Sequence, residues 1–338
     1  MIKRLGFWIF LILFFFLVVF VGMNVDQGKV ESDVNPSGLV SPNTGMVKGV
    51  SELSDTPLSI QTSINFVAGG DVMFDRYIRQ VAKDKGYRYA LEGLNDLLKS
   101  SDFVLANLEG PVTDFPSISM YSEFGTHDNY IFTFDPEVIE ILKEYKFLVS
   151  LGNNHVLNFG QAGLDQTLEN LERGGVSYFG QTGRETIKNH FVYKKNDLKI
   201  GFINYNQFIN DDKQEVLETI VALKGKVDFV AIYTHWGNEY VVRAGNVIQD
   251  LAHEFIDQGA DLVIGSHPHV VQQVEEYRNK KIYYSLGNFV FDQYFSEETM
   301  KGLLVKVSLR KKNGQELELI YTEIPIELLP SGQSLVGE

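Results

Sequence analysis

The chain of 338 residues contains no cysteine. This absence excludes a disulfide framework, a metal site built on thiolates, a cysteine nucleophile and a lipoprotein-type cysteine anchor. Any metal must therefore be held by histidine, carboxylate or amide oxygen. Such donors suit zinc, manganese, iron or magnesium.

Basic residues are also scarce: 30 lysines and arginines stand against 44 aspartates and glutamates, for a net charge of −14. Nucleic acid is bound through clustered lysine and arginine, so this balance argues against a nucleic-acid partner. It also disfavours docking of the folded part on anionic lipid. The apolar content of 44% and charged content of 22% are typical of a globular protein.

The N-terminal segment predicts a membrane anchor at residues 1–23. Lys3 and Arg4 precede an uncharged run, residues 5–23, that is rich in Phe, Leu, Ile and Val. A spanning helix needs about 20 apolar residues, with about 17 as the short limit. The alternative is a cleaved signal peptide, but that would have a shorter apolar core and a small-x-small cleavage site. The basic pair predicts a single pass across the cell membrane, with everything after it extracytoplasmic.

The rest of the chain divides by composition. Residues 24–62 are rich in Ser, Pro, Gly, Asn, Asp and Thr without a helical or strand period, which predicts a flexible linker. A folded domain is predicted over 63–330, followed by a tail at 331–338. Within the folded domain, helices are expected at 89–99 and 162–173, and paired strands are expected around Asn196-Asp197. Alternating helical and strand patterns with late antiparallel strands predict an α/β or α+β sandwich of sheets flanked by helices.

The strongest local signal is a pair of histidines, His267 and His269, at the end of an apolar strand that begins at Leu262. Pro268 is expected to push His267 into an extended conformation, in which side chains at i and i+2 point to one side. Gly265 is expected to allow a tight turn. The pair therefore predicts a divalent cation site, because imidazole is a common metal ligand. The alternative is two solvated loop histidines.

Four further polar clusters follow predicted strands, where open α/β sheets place their ligands. The alternative to metal binding is a helix N-cap for Asp71, and for Asn107 with Glu109 it is hydrogen bonding within a turn. Three other histidines (His127, His190 and His253) lack a strand-end setting and are not predicted as ligands. The four clusters are Gly70–Met73, Asn107–Pro111, Gly152–His155 and Thr234–Tyr240.

Taken in order, these motifs resemble the capsule synthesis proteins of the CapA/PgsA type, which act in making or exporting poly-γ-glutamate. The resemblance covers about residues 64–292 and includes a further motif, Tyr284–Phe289. That family looks like a divergent branch of the calcineurin-like metallophosphatases. The resemblance implies an α/β fold, a sandwich of two mixed β-sheets flanked by helices, with a metal centre at the strand ends.

The resemblance also implies roles for single residues. His155 would lie beside the metal without binding it and would act as a general acid. Two departures matter: Met73 replaces a histidine of the phosphatase motif, and Asn158 replaces a frequent aspartate. The first leaves one metal short of a ligand, so one or two ions (zinc, manganese, iron or magnesium) are expected. The implied metal ligands are Asp71, Glu109, Asn154, His235, His267 and His269.

Three functions stay open on the sequence. The first is a membrane-anchored extracytoplasmic component of poly-γ-glutamate capsule synthesis or export, partnered by the polymer or its membrane synthesis complex. The second is a metal-dependent hydrolase of phosphoester or amide bonds at the cell surface, in which metal lowers the pKa of bound water to ~7. The third is a surface binding protein with a structural metal. Retention of the Asn154-His155 pair favours a catalytic role over a purely structural metal site. Met73, in contrast, favours loss of phosphatase activity.

Overall fold

The computed structural model describes residues 61–180, 182–183, 187–209, 213–312 and 316–337. The predicted anchor and nearly all of the predicted linker lie outside these described residues. Within the described residues, no helix is both long enough and apolar enough to cross a membrane.

Strands and helices alternate through the first two thirds of the described chain, and strands dominate the last third. The strands are β1 (Gln61–Val72), β2 (Phe103–Leu108), β3 (Phe147–Ser150), β4 (Ser177–Phe179), β5 (His190–Lys195), β6 (Leu198–Asn206), β7 (Phe229–His235), β8 (Leu262–Ser266), β9 (Val274–Tyr277), β10 (Lys280–Tyr283), β11 (Asn288–Val290), β12 (Lys301–Lys312), β13 (Glu318–Leu328) and β14 (Ser334–Val336). The α-helices are α1 (Arg76–Lys85), α2 (Asn95–Lys99), α3 (Val138–Glu144), α4 (Gly160–Gly174), α5 (Lys213–Leu223) and α6 (Asn246–Gln258).

The strands form two mixed sheets, as the sequence predicts. The first sheet has the order β14-β13-β12-β1-β2-β3-β4, with β11 also paired to β1. The second has the order β5-β6-β7-β8-β10-β9. β1 to β4 run parallel and β12 to β14 antiparallel in the first sheet, while β6, β7 and β8 run parallel in the second.

Three apolar clusters hold the layers together. One lies between the sheets, where Phe66 of β1 stacks on Phe103 of β2 and meets Phe202 of β6 edge to face. The other two lie under the helices that cover the outer faces. The molecule is therefore a sandwich of two sheets flanked by helices, which confirms the predicted layering.

This topology brings the carboxyl ends of the parallel strands to one edge. Asp71 of β1 is in register with Asn107 of β2 and with Asn288 of β11. His235 of β7 is in register with Ser266 of β8. Polar residues that are far apart in sequence therefore meet there, as expected for ligand sites of parallel sheets.

Glycine at position 70 is required by the close approach of β11. A Cβ atom there would clash with the carbonyl oxygen of Gly287. That same oxygen accepts a hydrogen bond of 3.1 Å from the Asp71 backbone N–H. The glycine pair before Asp71 therefore lets β11 lie directly against the end of β1.

Two local predictions differ from the structure, and two agree. The helix expected at 89–99 is a 3₁₀ helix, Tyr87–Leu94, followed by the short α2. Part of the predicted tail forms β14, which pairs with β13, so the sheet extends through residue 336. The helix expected at 162–173 is α4, capped by Gly175 at φ +70°. The strands paired around Asn196-Asp197 are β5 and β6.

Candidate metal centre

Each predicted site residue lies at or just beyond the carboxyl end of a strand. Asp71 is near the end of β1, and Glu109 follows β2. The Asn154-His155 pair follows β3 and His235 ends β7, while the histidine pair follows β8. Asn154 is exposed, and the side chains of the other predicted residues are buried.

The first donor group consists of Asp71, Glu109 and His269. One ligand atom from each lies within 4.8 Å of the others. His269 Nδ1 is 3.5 Å from Asp71 Oδ2, and His269 Nε2 is 3.5 Å from Glu109 Oε1. Two carboxylates and an imidazole at this spacing form a donor set that suits a divalent cation.

The second donor group consists of Asn154, His235 and His267. His235 Nε2 is 2.8 Å from Asn154 Oδ1 and 3.2 Å from His267 Nδ1. The two groups are joined through Asp71, whose Oδ2 accepts a hydrogen bond of 3.0 Å from the His267 backbone N–H. The structure thus brings all six predicted ligands together at one edge of the sandwich.

Hydrogen bonds determine the tautomer of His269, that is, which of its two ring nitrogens carries the proton. The Asn288 amide nitrogen donates to three oxygens, including the carbonyl of His269 at 3.3 Å. Its Oδ1 therefore accepts the Nδ1 proton of His269 at 3.0 Å. His155 Nδ1 lies between the Tyr130 carbonyl oxygen at 3.1 Å, which accepts, and the Asn158 amide nitrogen at 3.2 Å, which donates, so its contacts are compatible with either tautomer. In His269 the Nε2 atom is therefore left with a lone pair.

The Nε2 atoms of His155 and His269 face the same carboxylate oxygen, Glu109 Oε1. It is 3.5 Å from His269 Nε2 and 3.8 Å from His155 Nε2, with no hydrogen-bond partner among the described residues. A buried carboxylate without a partner is costly. A cation between Glu109 Oε1 and His269 Nε2 would satisfy both lone-pair donors, so the residues present fit a divalent metal.

Burial raises the pKa values of the two buried carboxylates, Asp71 and Glu109. It raises the pKa of Asp71 to about 6, against hydrogen bonds from the His267 backbone and Asn107. Burial, with the charge of Asp71, raises the pKa of Glu109 well above its usual range.

The pKa values of the four histidines are lowered, again mainly because of burial. It lowers the pKa of His155 to about 4 and that of His267 to about 3. The pKa values of His235 and His269 are also held well below the ordinary range. All four imidazoles are therefore neutral at pH 7, which is the form that binds metal.

Two asparagines outside the predicted ligand set hold the centre in place. Asn107 donates to Asp71 Oδ1 at 2.8 Å and accepts from the Asn153 amide at 3.0 Å. Asn153 in turn accepts from the His155 backbone N–H at 3.0 Å. This chain of hydrogen bonds connects the ends of three strands. Networks of this kind orient ligands.

The backbone of the histidine pair differs from the prediction. His267 has φ +98° and His269 has φ +57°, so the expected extended conformation at His267 is wrong. Their rings still lie close together, with centroids 5.9 Å apart. Positive φ in such residues costs of order 1–3 kcal/mol each and is found mainly at functional sites.

Gly265 plays a different part from the predicted one. It lies within β8, where a Cβ atom would clash with the Tyr284 carbonyl and lie 2.7 Å from Trp236 Nε1. Glycine is needed there for close packing, and the expected turn at this position is wrong. Asp71 is not a helix N-cap either, because α1 begins at Arg76 and its N-cap is Asp75.

The structure places the remaining predictions as follows. Met73 is buried in the apolar core, where its sulfur accepts the Asp75 backbone N–H at 2.9 Å. His253 Nε2 contacts Glu275 Oε1 at 2.8 Å, and the His127 side chain is 88% exposed. Neither of these histidines belongs to a donor group, and the same holds for His190.

One acidic residue near the centre was not predicted as a ligand. Oxygen and nitrogen atoms of Glu239, His267 and His269 lie within 4.8 Å of one another. The available signal was its place four residues after His235, within the motif that carried the family resemblance. Its exposed position in a loop gives no burial or periodicity signal.

Solved structures with a similar course of the chain include two hydrolases. A novel phosphatase from Mycoplasma pneumoniae has a TM-score of 0.46 at 16% identity, covering 78% of this chain and 95% of that one. NAD nucleotidase from Haemophilus influenzae has a TM-score of 0.44 at 12% identity, covering 82% and 54%. Both TM-scores are below 0.5, so neither superposition assigns a fold or an activity.

Sequence comparison is decisive. The chain is 31% identical over 280 residues to the PGA biosynthesis protein CapA of Bacillus subtilis (strain 168), covering 78% of this chain and 71% of the relative. It is 28% identical over 275 residues to the capsule biosynthesis protein CapA of Bacillus anthracis, covering 75% and 66%. The model of the bacterial capsule synthesis protein family PGA_cap matches residues 65–293. The chain therefore belongs to the PGA_cap family of bacterial capsule synthesis proteins.

Proposed function

We propose that the protein is a membrane-anchored, extracytoplasmic component of poly-γ-glutamate capsule synthesis or export that carries a divalent metal centre. Its relatives in two Bacillus species are named for PGA biosynthesis and for capsule biosynthesis. Membrane anchoring is supported by the uncharged apolar run at residues 5–23 behind Lys3 and Arg4.

The metal centre is supported by one observation above all. Glu109 Oε1 is buried without a hydrogen-bond partner among the described residues, and the Nε2 lone pair of His269 faces it at 3.5 Å. A protein that did not bind a cation would be expected to place a proton donor among these atoms. When bound, a divalent metal would act as a Lewis acid and lower the pKa of a bound water.

A metal-dependent hydrolase is the second candidate, and His155 favours it. His155 belongs to neither donor group, yet it lies in the centre with a neutral ring. Its Nδ1 is held by Tyr130 and Asn158, so Nε2, 3.8 Å from Glu109 Oε1, is the ring nitrogen that faces the centre and can exchange a proton there. A proton taken there can be passed to a leaving group, which is the role of a general acid–base residue. A purely structural metal requires no such histidine.

The two candidates separate when His155→Ala is compared with His267→Ala. Both variants and His127→Ala, an exposed control, are assayed for bound metal and for capsular polymer in cells. His267→Ala should lose metal and polymer. If the protein is a hydrolase, His155→Ala should keep metal and lose turnover by ~10²–10⁴-fold, and polymer production should fall with it. If it is a binding component, His155→Ala should leave polymer production nearly intact. Loss of metal in His155→Ala would contradict its placement outside the ligand set.

Anchoring is tested on the full-length chain in membranes. Alkaline extraction should leave it in the membrane fraction, and protease added from the outer side should remove the domain. Recovery of a soluble product that starts near Asn24 would contradict the anchor and indicate a cleaved signal peptide.

A further inference from the structure

The second donor group has a feature that sets it apart from the first. The first group contains two carboxylates, whereas the second consists of an amide oxygen and two neutral imidazoles. A divalent cation at the second group would therefore have no negative donor from within the group. Burying a charge without a counter-charge is costly, so a carboxylate from outside the group is needed.

Asp71 Oδ1 lies 3.8 Å from His235 Nδ1, but Asp71 belongs to the first group and both of its oxygens accept hydrogen bonds within the centre. Glu239 is a further carboxylate beside the second group. One of its oxygens lies within 4.8 Å of ring nitrogens of His267 and His269. His269 has only Nε2 free, because its Nδ1 proton is donated to Asn288, and Nε2 faces Glu109 at 3.5 Å. His269 is thereby assigned to the first group. Glu239 is left with His267, which belongs to the second.

The loop that carries Glu239 is held against the histidine turn. The Tyr240 backbone N–H donates to the Pro268 carbonyl at 2.8 Å, between the two histidines. Gly237 on the other side of Glu239 donates to Gln207 Oε1 at 2.8 Å. Tyr240 also has φ +62°, a conformation that costs energy and is kept only where its surroundings impose it. These contacts fix the backbone on both sides of Glu239.

We propose that Glu239 is a metal ligand that approaches through His267 and is the anionic donor of a second cation position. It approaches from the solvent side, because Glu239 is exposed while Asp71 and Glu109 are fully buried. The centre then has one carboxylate at the second position and two at the first. Met73, which lies in the core, supplies none. This inference rests on the metal centre proposed above.

The test is a metal titration of full-length protein stripped of metal, with zinc as the probe. Wild type should bind two ions, and Glu239→Gln should keep one and weaken the other by about 10–100-fold, the size of effect seen when metal-site partners are removed. Glu169→Gln is the matched control, since that side chain is 74% exposed on α4 and its loss also removes one charge. It should behave as wild type. Glu239→Asp, which keeps the charge, should recover part of the affinity.

A cobalt absorption spectrum separates ligation from a nearby charge. At saturating Co²⁺, Glu239→Gln should change the bands of one ion, because a ligand has been replaced. An unchanged spectrum, or equal zinc affinities in wild type and Glu239→Gln, would overturn the inference and leave the metal centre intact. A wild type that binds neither metal would instead contradict the metal centre itself. Thermal unfolding of each metal-free variant confirms that it is folded.

Discussion

Replacing Asp71 with asparagine should change how the stability of the metal-free protein depends on pH. Burial raises the pKa of Asp71 from its ordinary 3.8 to about 6. The unfolded chain releases this proton first, so the folded state loses stability as the pH rises from about 4 to about 6. Each pH unit of difference between the two pKa values corresponds to ~1.4 kcal/mol, which makes the total roughly 3 kcal/mol. Asp71 also raises the pKa of Glu109, and its removal relieves that carboxyl in the same direction.

The assay is urea unfolding at several pH values between 4 and 7, with a chelator present, for wild type and Asp71→Asn. The variant loses an acceptor for the His267 backbone N–H, which lowers its stability by an amount that does not depend on pH. The difference between the two proteins should therefore shift by about 3 kcal/mol in favour of Asp71→Asn across this range. Asp128→Asn, at a side chain that is 65% exposed, is the control and should show no such shift. A pH-independent difference for Asp71→Asn would refute the reasoning.

Three further predictions follow from single contacts. Asn288→Ala removes the acceptor that fixes the His269 tautomer. It should weaken metal binding by about 10–100-fold in a calorimetric titration, and an unchanged affinity would contradict that role. Asp75→Ala removes the acceptor of two serine hydroxyls and of the Thr133 backbone N–H, together with the ion-pair partner of Arg79. It should cost about 3–5 kcal/mol in urea unfolding, and a loss below about 1 kcal/mol would be inconsistent with this. Gly70→Ala places a Cβ atom against the Gly287 carbonyl. The variant should lose about 1–3 kcal/mol of stability and bind metal more weakly. A variant equal to wild type would disprove the close approach of β11.

The arrangement of strands was predictable because its signals are local. Buried parallel strands appear as short apolar runs, and a polar cluster directly after such a run lies at the carboxyl edge of a sheet. Asp71, Glu109 and His235 were placed at strand ends in this way, and the structure has them there. Their action as metal ligands stays a prediction.

The conformation of the histidine pair was not predictable from local preferences. The residue before a proline favours extended backbone, yet His267 has φ +98°. Tertiary contacts outweigh that preference: the His267 N–H bonds to Asp71 Oδ2, and the Pro268 carbonyl accepts the Tyr240 N–H. Asp71 lies far from the pair in sequence, and Tyr240 lies in another loop. No local rule includes them.

Residues that support the centre from other elements were missed for a similar reason. Asn288 belongs to a strand of only three residues, and it meets His269 because β11 pairs with β1. Glu239 is an exposed loop glutamate, a class that is usually solvated surface. Only the distances between side chains distinguish these two residues from ordinary polar positions.

The central claim is that these side chains hold a divalent metal, and anomalous diffraction tests it most directly. A crystal of the protein grown with zinc should show an anomalous peak between Glu109 Oε1 and His269 Nε2, about 2.0–2.2 Å from each ligand atom. The side chains of Glu109, Asp71 and His269 should close around that peak. A zinc-grown crystal with no anomalous density at Glu109, and with Glu109 hydrogen-bonded through its own proton instead, would contradict the account.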